Sequence, residues 1–244
     1  MNDTSLPSHA QRLSPWLKWY LPLAILLYPA VLIVPGLNWE ANVYREYGLI
    51  ETLSNVFLLL AFVLALRASL QTNDVLLRAW TILFALGCFV FLGEEMSWGQ
   101  HYIKWIPPES WEAINRQNET NIHNIKGWPE FIFSKVIRNV LSIGAIVGSI
   151  IVPWWLRRNP SLCQQCSINF WLWPSSQTAL IAVIAVTCNI PKRLAKNFGV
   201  QIPWEYYGPN DGELKECFFA LFILLYALVL WRVVRNIHQA SLAR

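Results

Sequence analysis

Glu94 and Glu95, followed by Ser97, Trp98, Gln100 and His101 in the run G-E-E-M-S-W-G-Q-H, bring two carboxylates, a hydroxyl and an imidazole close together in the chain. A second run, E-T-N-I-H-N, adds Glu119, Asn121, His123 and Asn124. These are the residue types of general acid–base chemistry, of an activated hydroxyl and of ligands to a divalent metal. Ser97 and His101 stand one helical turn apart, the spacing of a nucleophile and its base. If the helix before them continues, Glu94, Ser97 and His101 share one face. The candidate catalytic residues are therefore Glu94, Glu95, Ser97 and Glu119. The competing reading is a solvated acidic face, since neither G-x-S-x-G nor H-E-x-x-H is present.

Further polar residues stand at the ends of apolar runs. Glu51, Ser54 and Asn55 fall at i, i+3 and i+4 near the start of one run, hence on one helix face, and an intramembrane carboxylate normally faces a partner inside the bundle. Glu213 and Glu216 open the last run, where acids also favour a helix N-terminus. Glu40 and Asn42 lie in the link before Glu51. Glu51, His101, His123, Glu213 and Glu216 are the expected ligands of a divalent metal, zinc, calcium or manganese, which would offset the cost of packing so many acids together. Glu40, Asn42, Ser54, Asn55, Trp98, Gln100, Asn121 and Asn124 would line the same polar pocket. Cys163 and Cys166 have C-x-x-C spacing without a second pair, and read as loop thiols.

The elements that must position these groups are apolar helices. Hydrophobic residues are 55% of the 244 and charged residues 14%, with 14 Trp, which places the chain among integral membrane proteins. The expected fold is an all-α bundle of six, or at most seven, transmembrane helices. A polar tail, 1–15, precedes a membrane domain, 16–235, with spans near 16–37, 47–66, 79–93, 134–155, 170–190 and 213–234. The functional loop is 94–133, and 236–244 is a C-terminal tail. The stretch Arg67 to Arg78 reads as a turn-rich connection, and Asn210 with Glu213 as a capping box. Scattered basic residues and a net charge of +4 give no nucleic-acid footprint. The expected partners are membrane lipids.

Six spans put both termini on one side. That side carries 9 basic residues and only Asp3 and Asp74, whereas the other holds 10 basic residues and 13 acids. Short, almost purely basic loops read as cytoplasmic, so the termini are expected inside a plasma (bacterial inner) membrane and the acidic residues at the outer face.

Two resemblances add to this. The blocks G-E-E-M-S-W-G-Q and E-T-N-I-H-N resemble a paired signature of bacterial multispanning membrane proteins, which favours Glu94, Glu95, Trp98, Gln100, Glu119, Asn121, His123 and Asn124. More distantly, Trp39-Glu40-Ala-Asn42 with Glu51, then Ser97-x-x-x-His101, is similar to the alkaline ceramidase superfamily of membrane hydrolases. That resemblance implies Glu40, Asn42 and Glu51 as calcium ligands and Ser97 and His101 as part of a zinc site. The last helix lacks the family's H-x-x-x-H and has Glu213-x-x-Glu216 instead, so His123 would have to substitute. The glutamate pair is also similar to that of CAAX-type intramembrane proteases, whose E-E-x-x-x-R has Arg where this chain has Gly99. The expectation is a metal-dependent hydrolase or transferase acting on a lipid at the outer face. The alternative is a non-catalytic transporter, cation-binding sensor or assembly partner.

Overall fold

A computed structural model describes residues 12–32, 48–162, 168–188, 190, 197–199 and 211–242. These residues are about 82% helical and contain no strand, as expected of an all-α protein. A π turn, Trp16–Tyr20, leads into α1 (Leu21–Leu32). α2 (Leu49–Gln71) and α3 (Val75–Glu95) form a hairpin, and the loop after it carries the short helices α4 (Gln100–Ile103) and α5 (Glu109–Ile114). α6 (Trp128–Arg158) follows, then α7 (Ile168–Trp171), α8 (Ala179–Thr187) and α9 (Asp211–Leu242).

Four of these helices are long and apolar enough to cross a membrane: α2, α3, α6 and most of α9. Six or seven spans are not found among the described residues. The expected fifth span is broken, because α7 stops at Trp171 and the chain turns through Pro174 before Ser175 caps the next helix, its Oγ accepting from Gln177 N at 3.2 Å. The apolar helix that remains, Ser176–Thr187, is about 18 Å long at 1.5 Å per residue, short of a hydrocarbon core of about 30 Å. α1 ends at Leu32, where the described part of the first apolar run also ends.

Several boundaries differ from the sequence reading. Arg67 to Arg78 is not a turn-rich connection. Only residues 72–74 lie between α2 and α3, where Asp74 Oδ1 accepts from Leu77 N at 2.8 Å and Arg78 Nε donates to the Thr72 carbonyl at 3.0 Å. The arginines extend the helices because no helix breaker stands before Thr72-Asn73-Asp74. α9 runs on to Leu242, so the expected C-terminal tail is largely helical. Asn210 lies outside the described residues, and so does its expected cap.

α9 is the central helix, with 78% of its apolar window buried against 44% for α2 and 22% for α3. α2 packs along it and carries a stripe of fully buried, mostly small side chains, Leu58, Ala61, Ala65 and Ala68, of the kind that lets helix backbones approach. Tyr226 ties the other layers to α9. Its hydroxyl accepts from Trp80 Nε1 on α3 at 2.7 Å and reaches the Trp171 and Leu172 carbonyls at 3.1 and 3.0 Å.

Gly148 on α6 lies against the turn that breaks the fifth run. A Cβ there would stand 2.8 Å from Pro174 Cδ, a stiff ring that cannot swing away. Gly148→Ala is expected to lower stability by about 1–3 kcal/mol. Gly144→Ala, where a Cβ meets nothing within 4 Å, should instead gain up to about 1 kcal/mol of helix propensity. Thermal unfolding of both variants in detergent checks the contrast.

Candidate functional site

α3 does not continue through Ser97 and His101 as the i, i+3, i+7 reading expects. It ends at Glu95, and three consecutive residues then take positive φ: Ser97 at 46°, Trp98 at 54° and Gly99 at 99°. Only Gly99 adopts this conformation without steric cost, so contacts must hold the other two. Trp98 supplies them by folding back along α3. Its Nε1 donates to Glu94 Oε1 at 2.8 Å, and its ring meets Phe89 edge-on at 5.9 Å between centroids. The ring also occupies the space where a Cβ on Gly93 would lie, 2.8 Å from it.

The second motif docks on this turn. Glu94 Oε2 accepts from the backbone N–H groups of Ile122 (2.8 Å) and His123 (2.9 Å) and lies 3.2 Å from His123 Nδ1. Gln100 Oε1 accepts from Thr120 N at 2.7 Å, while its Nε2 donates to the Asn118 carbonyl at 3.1 Å. Thr120 Oγ1 donates to the Ser97 carbonyl at 2.5 Å. Asn115 braces the loop from below, its Oδ1 accepting from Gln117 N at 2.9 Å and Glu119 N at 3.3 Å. The two blocks of the paired signature thus form a single hydrogen-bonded unit.

Inside it lies a network of side chains that are all at least nine-tenths buried: Glu51, Ser97, His101, Glu119 and Asn121. His101 Nδ1 is 2.8 Å from Glu51 Oε1. On the other side of the ring, Nε2 is 2.9 Å from Ser97 Oγ and 3.3 Å from Glu119 Oε1. Ser97 Oγ donates to Glu119 Oε2 at 3.2 Å and accepts from Asn121 Nδ2 at 3.0 Å. Asn124 Nδ2 donates to the same Glu119 oxygen at 3.1 Å. This pattern suits an imidazolium between two carboxylates. Burial opposes the charge on His101, but hydrogen bonds to Glu119 and Glu51 and the charges of both outweigh it and raise the ring to about 10. Burial likewise opposes ionised Glu119, and its bond to His101 outweighs that, so the carboxyl lies below its ordinary value.

The expected metal ligands do not form one set. Glu51 and His101 belong to the network, His123 sits against Glu94, and Glu213 and Glu216 are grouped with Glu95. Among the described residues, Glu95, Glu213 and Glu216 are the only three histidine, cysteine or acidic side chains close enough to share an ion, with one oxygen from each within 4.8 Å of the others. Arg138 of α6 pairs with Glu216. Ser54 Oγ donates to the Ile50 carbonyl at 2.9 Å, and Asn55 Nδ2 to Tyr102 Oη at 3.2 Å. Glu40 and Asn42 lie outside the described residues.

No protein-family model matches the chain, and no curated protein or solved structure matches it.

Sequence reasoning missed Arg138, Tyr102, Asn115 and Thr120. Arg138 had a usable signal as a cation inside an apolar helix. The other three are ordinary loop residues until the two blocks meet.

Two predictions follow from these bonds. Glu94→Ala leaves two loop N–H groups without their acceptor and should cost roughly 3 kcal/mol, with faster amide exchange at Ile122 and His123 as the local sign. His101 stabilises the fold fully below about pH 6.5, and this contribution is lost as pH rises through about 10. Glu119 acts oppositely, its contribution fading as pH falls below 4.5. The melting temperature in detergent should therefore decline from neutrality towards alkaline pH, and His101→Gln should flatten that decline.

Proposed function

We propose that the protein is a hydrolase or transferase acting on a membrane lipid at the extracytoplasmic face of the plasma membrane, with Ser97, His101 and Glu51 as its reactive chain. The observation that carries this is the order of the groups: Ser97 Oγ is 2.9 Å from one ring nitrogen of His101, and Glu51 is 2.8 Å from the other. Serine, imidazole and carboxylate in that order are the parts of an activated hydroxyl nucleophile. Ser97 also stands on a backbone of positive φ, where strain of this kind accompanies function.

Glu119 is the departure from a simple triad. It holds a proton on Nε2, so the ring cannot take the Ser97 proton near neutral pH. The base becomes available at alkaline pH, or when a substrate's polar head draws Glu119 away. Asn121 Nδ2 donates to Ser97 Oγ at 3.0 Å and to Glu119 Oε2, which holds the hydroxyl and the carboxylate together.

A divalent metal remains part of the proposal. Glu95, Glu213 and Glu216 are the residues that would hold it, and an all-carboxylate set suits calcium or manganese better than zinc. When bound, such an ion supplies Lewis-acid polarisation and a more acidic water. The pairing of Arg138 with Glu216 favours a second reading, in which the cluster is a structural ion pair in a non-catalytic membrane protein.

The test is turnover of ester- and amide-linked lipids by the reconstituted protein, with metal content measured in parallel. Ser97→Ala should lower turnover on the order of 10⁶-fold while the variant stays folded at the assay temperature, and wild-type activity should rise from pH 7 towards 10. An unaffected Ser97→Ala variant, or a folded protein inert towards every lipid class, would overturn the catalytic reading. Stoichiometric calcium or manganese lost in Glu95→Gln would support the metal, whereas a metal-free active protein would remove it.

A further inference from the structure

We infer that residues 97–106 re-enter the bilayer beside α2 and α3 and form a lipid-facing surface next to the buried Ser97–His101 centre. This inference goes beyond the proposed chemistry and holds whether or not Ser97 reacts.

Depth carries the argument. At 1.5 Å per residue, α2 with 23 residues and α3 with 21 are about 34 and 32 Å long. Against a hydrocarbon core of about 30 Å they overhang at each end by only about 2 Å for α2 and about 1 Å for α3. The chain leaves α3 at that level and then turns back. Tyr102 Oη accepts from Asn55, six residues or about 9 Å along α2 from its start. Trp98 meets Phe89, six residues or about 9 Å back from the end of α3. Measured along the helices, both contacts lie inward of the ends of α2 and α3 by more than the overhang.

Side chains at that depth that are not buried by protein meet acyl chains. Tyr102 is 55% exposed and Ile103 74%. Lys104, with φ at 60°, then ends the helix, and Ile106 at the tip is 85% exposed. Three apolar side chains this open in one short segment are continuous with the lipid face of the helices, where Leu60 is 47% and Phe89 46% exposed. Two of the segment's backbone donors are paired within it: Gly99 N donates to the Met96 carbonyl at 2.9 Å and Lys104 N to the Gln100 carbonyl at 2.7 Å.

Two measurements on the protein in vesicles of phosphatidylcholine and phosphatidylglycerol test this. Benzoylphenylalanine placed at Ile103 or Ile106 should crosslink to acyl chains as efficiently as at Leu60, and roughly tenfold more than at the exposed loop position Glu112. Yields at Ile103 and Ile106 no higher than at Glu112 would overturn the inference. The unaltered protein gives a second readout. Trypsin should cut at Arg116, whose side chain is 58% exposed, while Lys104 on the same loop stays protected until detergent is added. Cleavage at Lys104 as fast as at Arg116 would overturn it as well. Neither readout depends on turnover, so failure of the lipid-hydrolase reading leaves this result standing.

Discussion

The site depends first on one carboxylate. Glu94 accepts from the Trp98 indole and from two consecutive backbone N–H groups of the Ile122–His123 turn, and lies against the His123 ring. It therefore fixes both the reversal of the chain after α3 and the docking of the second motif. The positive φ values at Ser97 and Trp98 are sustained only because the indole has a partner and Gly93 leaves it room. Catalytic work was the expectation for Glu94, and in the structure both of its oxygens hold partners, Trp98 on Oε1 and the Ile122–His123 turn on Oε2.

The polar centre faces a physical tension, since buried ions at the end of an apolar bundle are costly unless paired. The chain resolves it with two cations of different kinds. His101 lies between Glu51 and Glu119, and Arg138 reaches Glu216 beside Glu95 and Glu213. One is a guanidinium and the other an imidazolium whose charge is lost as pH rises through about 10. That asymmetry is why the Ser97 side is read as chemistry and the Arg138 side admits a structural reading.

Much of this was legible in the sequence. Composition pointed to the helical membrane class, and among the described residues Glu51, Glu95, Glu213 and Glu216 lie near one another at one end of the bundle. The pairing of G-E-E-M-S-W-G-Q with E-T-N-I-H-N corresponds to direct hydrogen bonds. The helix break was not legible, because two of its three positive-φ residues are serine and tryptophan, and the fold-back of Trp98 onto Glu94 and Phe89 that holds them carries no sequence signature. Adjacent Glu94 and Glu95 were treated alike, yet neighbouring helical residues point about 100° apart. One therefore serves the loop and the other faces α9. Within the expected fifth span, α7 stops at Trp171 and Pro174 packs against Gly148 of α6, a contact that no local pattern in the sequence marks.

The direction in which the central helices run has its own effect on this site. α3 reverses after α2, and Glu95 near its end meets Glu213 and Glu216 near the start of α9, so α2 and α9 run parallel. Their first turns, with unpaired N–H groups and the positive ends of two macrodipoles, point towards the same acidic cluster. The backbone thus contributes a positive potential where the side chains are most negative. Replacing a single glutamate would leave that potential in place, so the preference of this end for negative charge is a property of the topology as much as of any residue.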